Sequence, residues 1–541
     1  MHRAPAVAVA ASLLIVVAAA RVTQGVYADP ATQLKAVQQR LAGESTSINR
    51  LVQPDAHDLS QDVGAWIVWW TPGTELVTYP LMRAGLSLGA SVRSVAAAAL
   101  VAGAVGWAIW FGQFDLPPAI VVALAATWPF LRHASNGLFL YSAEMLAFAA
   151  APWLLLATAR FLDRDAGIPT PRETAAALAI GLALGAAYWL KGSLAFVAVG
   201  VLLAIALWER RAGRAPRRWL LLIGAAAAGI AVPFLTLSIV NGIAGGGATT
   251  QVSAALQSPV VTWRHALDAI ALPALQLADA GSVWQYLLMH PARPIVGSAA
   301  WISLIAVPGG LVLWWLVARP RVGGAAATIA RSVFIVSVAL LVAIWTVSSA
   351  VSHEPRHLAS AAFALLPLAL AEGRARWRSG TPAGRRLLAA AALFYVCMPL
   401  AYGAVSVVQK VRRFPAGYEP GPARLYNGLL SESSIASVRE ALLARVTPAD
   451  VWYLPEPISA LDLPGRAIIS AADFESIDQL RAACFTTSRP VRVNALLPAR
   501  FEDNGKGPVI RASFPQAGPW TRTEIARSDY VMWTSDLRIA R

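Results

Sequence analysis

Most of this 541-residue chain repeats one pattern, an apolar run near the roughly 20 residues that cross a bilayer followed by a short polar connection. Such runs fall at 4–20, 94–111, 116–131, 145–159, 174–190, 193–208, 219–240, 296–317, 332–351, 358–371 and 387–408. In lipid each spanning segment must satisfy its own backbone hydrogen bonds, so the pattern predicts a polytopic α-helical membrane protein of about eleven transmembrane helices. With 57% of residues hydrophobic and 14% charged, a soluble globular protein is excluded. Residues 1–20 also fit a cleaved signal peptide, with His2 and Arg3 before a short apolar run and Ala18-Ala19-Ala20 beyond it. Cleavage would leave ten spans and the same sidedness.

Lys and Arg in short connections set orientation. With the N-terminus inside, the inner connections hold Arg3, then Arg160, Arg164 and Arg172, then five arginines within 209–218. Arg319, Arg321 and Arg331 follow, then five more within 372–386. The short outer connections carry only Arg132, Lys191 and Arg356. The formal charge of +15 is therefore mainly a topology signal, and no nucleic-acid partner is needed to explain it.

The reading divides the chain into a membrane domain, 1–408, with long outer loops at 21–93 and 241–295, and an outer domain, 409–541. The first loop has a helix-like run at 31–42 and ends in Trp66-Ile67-Val68-Trp69-Trp70, so it is expected to lie on the membrane as one or two amphipathic helices. In the tail, strand-like runs at 450–454, 466–470, 491–497 and 530–534 alternate with helix-like runs at 434–446 and 474–484, which predicts a small α/β domain. Cys397 in the last span and Cys484 in the tail imply no disulfide framework.

Against this sparsely charged background, Ser352-His353-Glu354-Pro355-Arg356-His357 sets ionisable groups between two spans. Charges at a membrane boundary are functional candidates. A short loop with a helix-ending proline and charges that merely snorkel is the plainer alternative for any one residue, Lys191 and His353 above all. The company changes the balance: Asp29, Glu144, Lys191, Glu354 and Arg356 all thread to the same edge of the membrane. A carboxylate there can act as general base on an alcohol, while Arg and Lys offset the charge of a phosphate leaving group.

Four motifs stand in order with consistent sidedness. Tyr27-Ala28-Asp29 follows the first span, and its loop closes with Thr71-Pro72-Gly73 and Tyr79-Pro80-Leu81. Tyr141-Ser142-Ala143-Glu144 and Leu190-Lys191-Gly192 come next, then Glu354-Pro355-Arg356-His357 with Pro367 after it. Over residues 1–410 the set resembles the GT-C superfamily of integral membrane glycosyltransferases, especially the bacterial branch similar to aminoarabinose transferases and protein mannosyltransferases. The resemblance implies a polyprenyl-phosphate sugar donor, a glycan, lipid or protein acceptor, and transfer with inversion on the periplasmic side of a bacterial inner membrane. It makes Asp29 and Glu144 the catalytic candidates, and Arg356, Glu354, Lys191, His357 and Tyr27 the substrate-binding ones. Two departures matter: Pro30 stands where many relatives have a second acid, which weakens a metal site, and His357 replaces the usual tyrosine. No metal ligand is assigned, and a divalent cation held with help from Glu144 stays open. Two other classes compete, a lipid or polysaccharide transporter and a non-catalytic membrane scaffold. The nearly uncharged spans and the lack of an internal repeat count against the first.

Overall fold

The computed structural model describes residues 25–26, 28–45, 47–67, 70–127, 140–164, 170–245, 312–347, 355–392 and 432–539 apart from eight single positions in the last stretch, with a few positions before residue 14. Among them the first loop forms α1 (Ala28–Leu41), a hairpin of β2 (Arg50–Asp55) and β3 (Asp58–Trp66), and α2 (Gly73–Arg83). The bundle follows as α3 (Leu88–Phe111), α4 (Pro118–Thr127), α5 (Ala143–Leu162), α6 (Pro171–Leu190), α7 (Leu194–Arg211), α8 (Pro216–Gly245), α9 (Ala325–Val347), α10 (Ala359–Ser379) and α11 (Pro382–Ala392). Two-residue strands β1 (Gly25–Val26) and β4 (Leu140–Tyr141) precede α1 and α5.

Five helices, α3, α5, α6, α9 and the stretch Pro216–Val240 of α8, are long and apolar enough to cross a membrane. Helix α7 ends in Glu209-Arg210-Arg211 and α10 in a charged turn from Glu372, so their apolar parts are shorter. The expected runs at 4–20, 296–317 and 387–408 lie wholly or largely outside the described residues, as does the loop 246–295.

Small residues let the bundle close. Carbonyl oxygens of Ala226 and Ile230 on α8 approach Gly181 and Gly185 of α6 so closely that added Cβ atoms would lie 2.1 and 2.6 Å from them. Lipid gives no hydrophobic drive for helix association, so backbone approach of this kind supplies the van der Waals contact instead. Trp107 of α3, fully buried, packs on Phe363 of α10 with ring centroids 5.3 Å apart, and Phe148 of α5 meets the same ring at 5.3 Å. Trp110 donates its indole N–H to the Ala364 carbonyl oxygen at 3.1 Å. Helices α3, α5 and α10 thus run side by side in one direction.

At the far end of these helices the arginines are clasped rather than loose. Glu209 accepts from Arg214 and Arg218 at 2.8 Å each, Arg218 reaches Glu173 at 3.1 Å, and Glu372 pairs with Arg331.

The tail holds a five-stranded mixed sheet. Strands β5 (Val451–Leu454), β6 (Arg466–Ile469), β7 (Val491–Pro498), β8 (Thr521–Glu524) and β9 (Tyr530–Leu537) stand in the order β6-β5-β7-β9-β8, with β6-β5-β7 parallel and β7-β9-β8 antiparallel. Four of the five lie on runs the sequence pattern marks. Strand β8, TRTE, is almost wholly exposed and shows no apolar alternation.

The first loop departs from expectation. Helix α1 lies where the helix-like run falls, but a β-hairpin that the pattern does not mark stands between it and α2. Its pairing runs from Arg50↔Trp66 to Pro54↔Asp62. The reason is tertiary: the hairpin docks on the tail. The Leu59 N–H donates to the Thr486 carbonyl oxygen at 2.8 Å, the Thr486 N–H donates to Ala56 at 2.9 Å, and Arg466 grips Asp62 at 2.8 Å. From α1, Lys35 donates to the Leu463 carbonyl oxygen at 2.7 Å, and burial lowers its pKa. Tyr79-Pro80-Leu81, read as a helix start, lies inside α2, which begins at Gly73.

Asp58 fastens this junction. Its carboxylate accepts from the Ser488 N–H at 2.9 Å and hydroxyl at 2.6 Å, and from the Ser60 hydroxyl at 2.7 Å. Those donors favour the ionised form and hold the group well below the usual carboxylate range. A depressed folded pKa means the contact contributes fully above the ordinary value of 3.8 and is lost as pH falls through the folded value. Asp58→Ala is expected to speed hydrogen exchange at the Leu59 and Thr486 amides at pH 7. Wild type should hold its protection until the pH falls below about 3.8. Equal exchange in both proteins at pH 7 would remove Asp58 from the junction.

Candidate active site

The two catalytic candidates are brought together by the shortest of the described elements. Strands β1 and β4 pair in parallel, Gly25 with Leu140 and Val26 with Tyr141. Each runs straight into a helix, and each helix carries an acid in its first turn, Asp29 in α1 and Glu144 in α5. Counting on from Val26↔Tyr141, Asp29 and Glu144 occupy the same offset, three residues past the last pair. Two carboxylates therefore stand at adjacent helix N-termini, where the aligned peptide dipoles favour negative charge. Asp29 is half-buried, and Tyr141 beside Glu144 is fully buried.

Lys191 completes this corner. It ends α6 in an extended conformation, φ −158° and ψ 128°, and its Nζ lies 2.8 Å from Glu144 Oε1, each side chain 13% exposed. Snorkelling is thereby excluded as its role: the ammonium points at an acid in the protein. The Thr71-Pro72-Gly73 corner rests on the same turn. A Cβ on Gly73 would fall 2.3 Å from the Leu190 carbonyl oxygen, and one on Gly192 would sit 3.9 Å from Thr71. Only glycine permits the first approach.

A buried polar network, which the sequence pattern does not reveal, holds the Thr71 corner against α1. Gln33, one turn after Asp29 on the same helix face, donates to the Thr71 carbonyl oxygen at 2.7 Å and to Asn49 Oδ1 at 2.9 Å. Asn49 sits in the left-handed region at φ 59°, which asparagine tolerates better than most residues. Its amide donates to Ile67 and Trp70 carbonyls at 2.6 and 3.0 Å, and its N–H to Glu75 at 2.5 Å. Arg40 binds Glu75 at 2.9 Å and lies over the Tyr79 ring at 4.1 Å. Burial pushes the Glu75 carboxyl above its ordinary range, against the pull of Asn49 and Arg40. Polar residues at 33, 40, 49 and 75 lie outside every span, and that was the available signal.

His357 belongs to the same end of the bundle. Pro355–Leu358 form a 3-10 turn into α10, and His357 in it is half-buried. Phe363 meets Phe148, so His357 and Glu144, six and four residues before those rings, share one end. The Arg356 side chain, Glu354 and Tyr27 lie outside the described residues.

Among the described residues no three His, Cys, Asp or Glu side chains gather, and the Lys191 ammonium already faces Glu144, where a cation would meet like charge.

No family model matches the sequence, and no curated protein matches it. Solved structures do. ArnT from Cupriavidus metallidurans bound to undecaprenyl phosphate superposes with a TM-score of 0.50 at 11% identity, over 98% of this chain and 98% of that one. ArnT from the same organism in the apo state gives 0.52 at 11% identity, over 98% and 97%. At this identity the likeness shows the fold alone, and the chain has the fold of these ArnT structures.

Proposed function

We propose that this protein is a membrane glycosyltransferase that moves a sugar from a polyprenyl-phosphate donor to an acceptor hydroxyl, with inversion, on the periplasmic side of a bacterial inner membrane. The β1–β4 register carries the reading. It sets Asp29 level with Glu144, and Lys191 from the end of α6 meets Glu144 there, at the end of the bundle away from the clasped arginines.

Asp29 takes the acceptor hydroxyl proton as the hydroxyl oxygen attacks the anomeric carbon. The bond from that carbon to the phosphate oxygen breaks on the opposite face, and polyprenyl phosphate leaves with the electron pair. Arg356 and Lys191 offset the charge that develops on it, since charge-assisted contacts in a partly desolvated site are the strong ones. Glu144 orients the Lys191 ammonium. Glu354, His357 and Tyr27 line the donor's approach, and the ArnT structure bound to undecaprenyl phosphate supports a lipid-linked donor. The tail, 409–541, faces the periplasm with the hairpin.

Purified protein is expected to release polyprenyl phosphate from a lipid-linked sugar only when acceptor is present, with the sugar recovered on the acceptor. A transporter would leave the donor intact. Sidedness has its own check, because Cys484 is exposed in the tail and Arg210 is exposed in the last turn of α7. A membrane-impermeant maleimide should label Cys484 from the periplasm. It should reach Arg210→Cys, in a Cys484→Ser background, only after the membrane is opened. Labelling of residue 210 in intact cells would invert the topology.

A further inference from the structure

We infer that the arginine-rich end of the bundle holds a second binding site, one that takes a zwitterionic phosphoethanolamine group. A cavity of about 470 Å³ opens where α3 ends, α9 begins and α10 ends, within the size range of small-molecule sites. Its lining carries charges of both signs. Arg321, Arg374 and Arg378 line it together with the first turn of α9. The chain enters that turn through Gly323-Gly324, the latter at φ 102°, and the Thr328 N–H is bonded to the Gly324 carbonyl oxygen. The amides of Ala325 to Ala327 therefore precede any intrahelical acceptor and carry only methyl side chains.

Asp115 and Asp163 line the same cavity, and among the described residues neither carboxylate has an ion-pair partner. Partial desolvation pushes the Asp163 carboxyl above its ordinary range.

The site is held in shape from below. Glu372, 1% exposed, accepts from the backbone N–H groups of Arg321 and Val322 at 3.0 Å each and pairs with Arg331. Arg374 donates to the Asp115 carbonyl oxygen at 2.8 Å, which ties α10 to the end of α3. Each guanidinium has five donors, so this bond leaves others for a ligand.

A plain phosphate would face two carboxylates, and a plain cation would face three guanidiniums. A group with both signs on one short chain meets both, with its phosphate on the arginines and the α9 amides and its ammonium on Asp115 and Asp163. At the end of a membrane bundle the obvious carrier is a lipid headgroup, and soluble phosphoethanolamine offers the same chemistry.

The test uses full-length protein in detergent, titrated with dihexanoyl phosphatidylethanolamine, dihexanoyl phosphatidylglycerol and free phosphoethanolamine while the unfolding midpoint is followed. Phosphatidylethanolamine should raise the midpoint saturably, and more than phosphatidylglycerol. Arg378→Gln and Asp163→Asn should each weaken that response about tenfold, the size of one charge-assisted hydrogen bond. Asp163→Asn should also shift preference toward phosphatidylglycerol, which a merely structural role would not do. If free phosphoethanolamine matches the lipid, the site is supported with a soluble ligand. If acyl chains are required, it is supported with a lipid. Equal responses to the two lipids, or variants that respond as wild type does, would overturn the proposal.

Discussion

Asp29→Asn is expected to lower sugar transfer between about 10²- and 10⁴-fold, the usual contribution of a positioned general base. The substitution keeps the shape of the side chain and removes its ability to take a proton. Its structural cost should be small, because the loss of one negative charge near a helix N-terminus is worth about 0.3–1 kcal/mol. Transfer and unfolding should therefore separate: product formation collapses while the purified variant melts within a few degrees of wild type. Donor binding should persist, since the proposed phosphate contacts come from Arg356 and Lys191. Should Asp29→Asn turn over a proven donor at the wild-type rate, the base lies elsewhere and Glu144 is the next carboxylate to examine.

The spans were legible because lipid leaves a backbone few choices: α5 and α6 begin and end within three residues of their apolar runs, while α3 and α9 start six and seven residues before theirs. Helix α1 was legible too, from its run of good helix formers. The hairpin was not. Strand β2 contains Pro54, the β2–β3 turn is Ala56-His57 rather than an asparagine-glycine step, and three acids fall within 55–62. What makes it a hairpin is contact with residues more than 400 positions away, such as Arg466 on Asp62, and no local pattern encodes that. Strands β1 and β4 have two residues each, too few for any period. A trace of them survives as the paired steps Ala28-Asp29 and Ala143-Glu144, which marks both acids without revealing that they share a register.

Replacing Lys191 with methionine should separate what the ion pair does for the fold from what it does for the reaction. Glu144 would keep its half-buried carboxylate and lose the ammonium 2.8 Å away. A charge-assisted hydrogen bond is worth about 1.5–3 kcal/mol and these side chains retain some solvent, so Lys191→Met should destabilise by about 1–3 kcal/mol. Transfer should fall further than stability alone explains, because the leaving phosphate loses a counter-charge as well. Adding Glu144→Gln removes the orphaned carboxylate, so the double variant should regain stability, with a coupling energy of about 0.5–3 kcal/mol between the two positions. Activity should not return with it, since neither an oriented ammonium nor its partner is present. The measurements are unfolding of all three variants in detergent and single-turnover transfer from a saturating lipid-linked donor. Recovery of transfer alongside stability would reduce Lys191 and Glu144 to a brace between α5 and α6, and leave Asp29 with Arg356 as the chemistry.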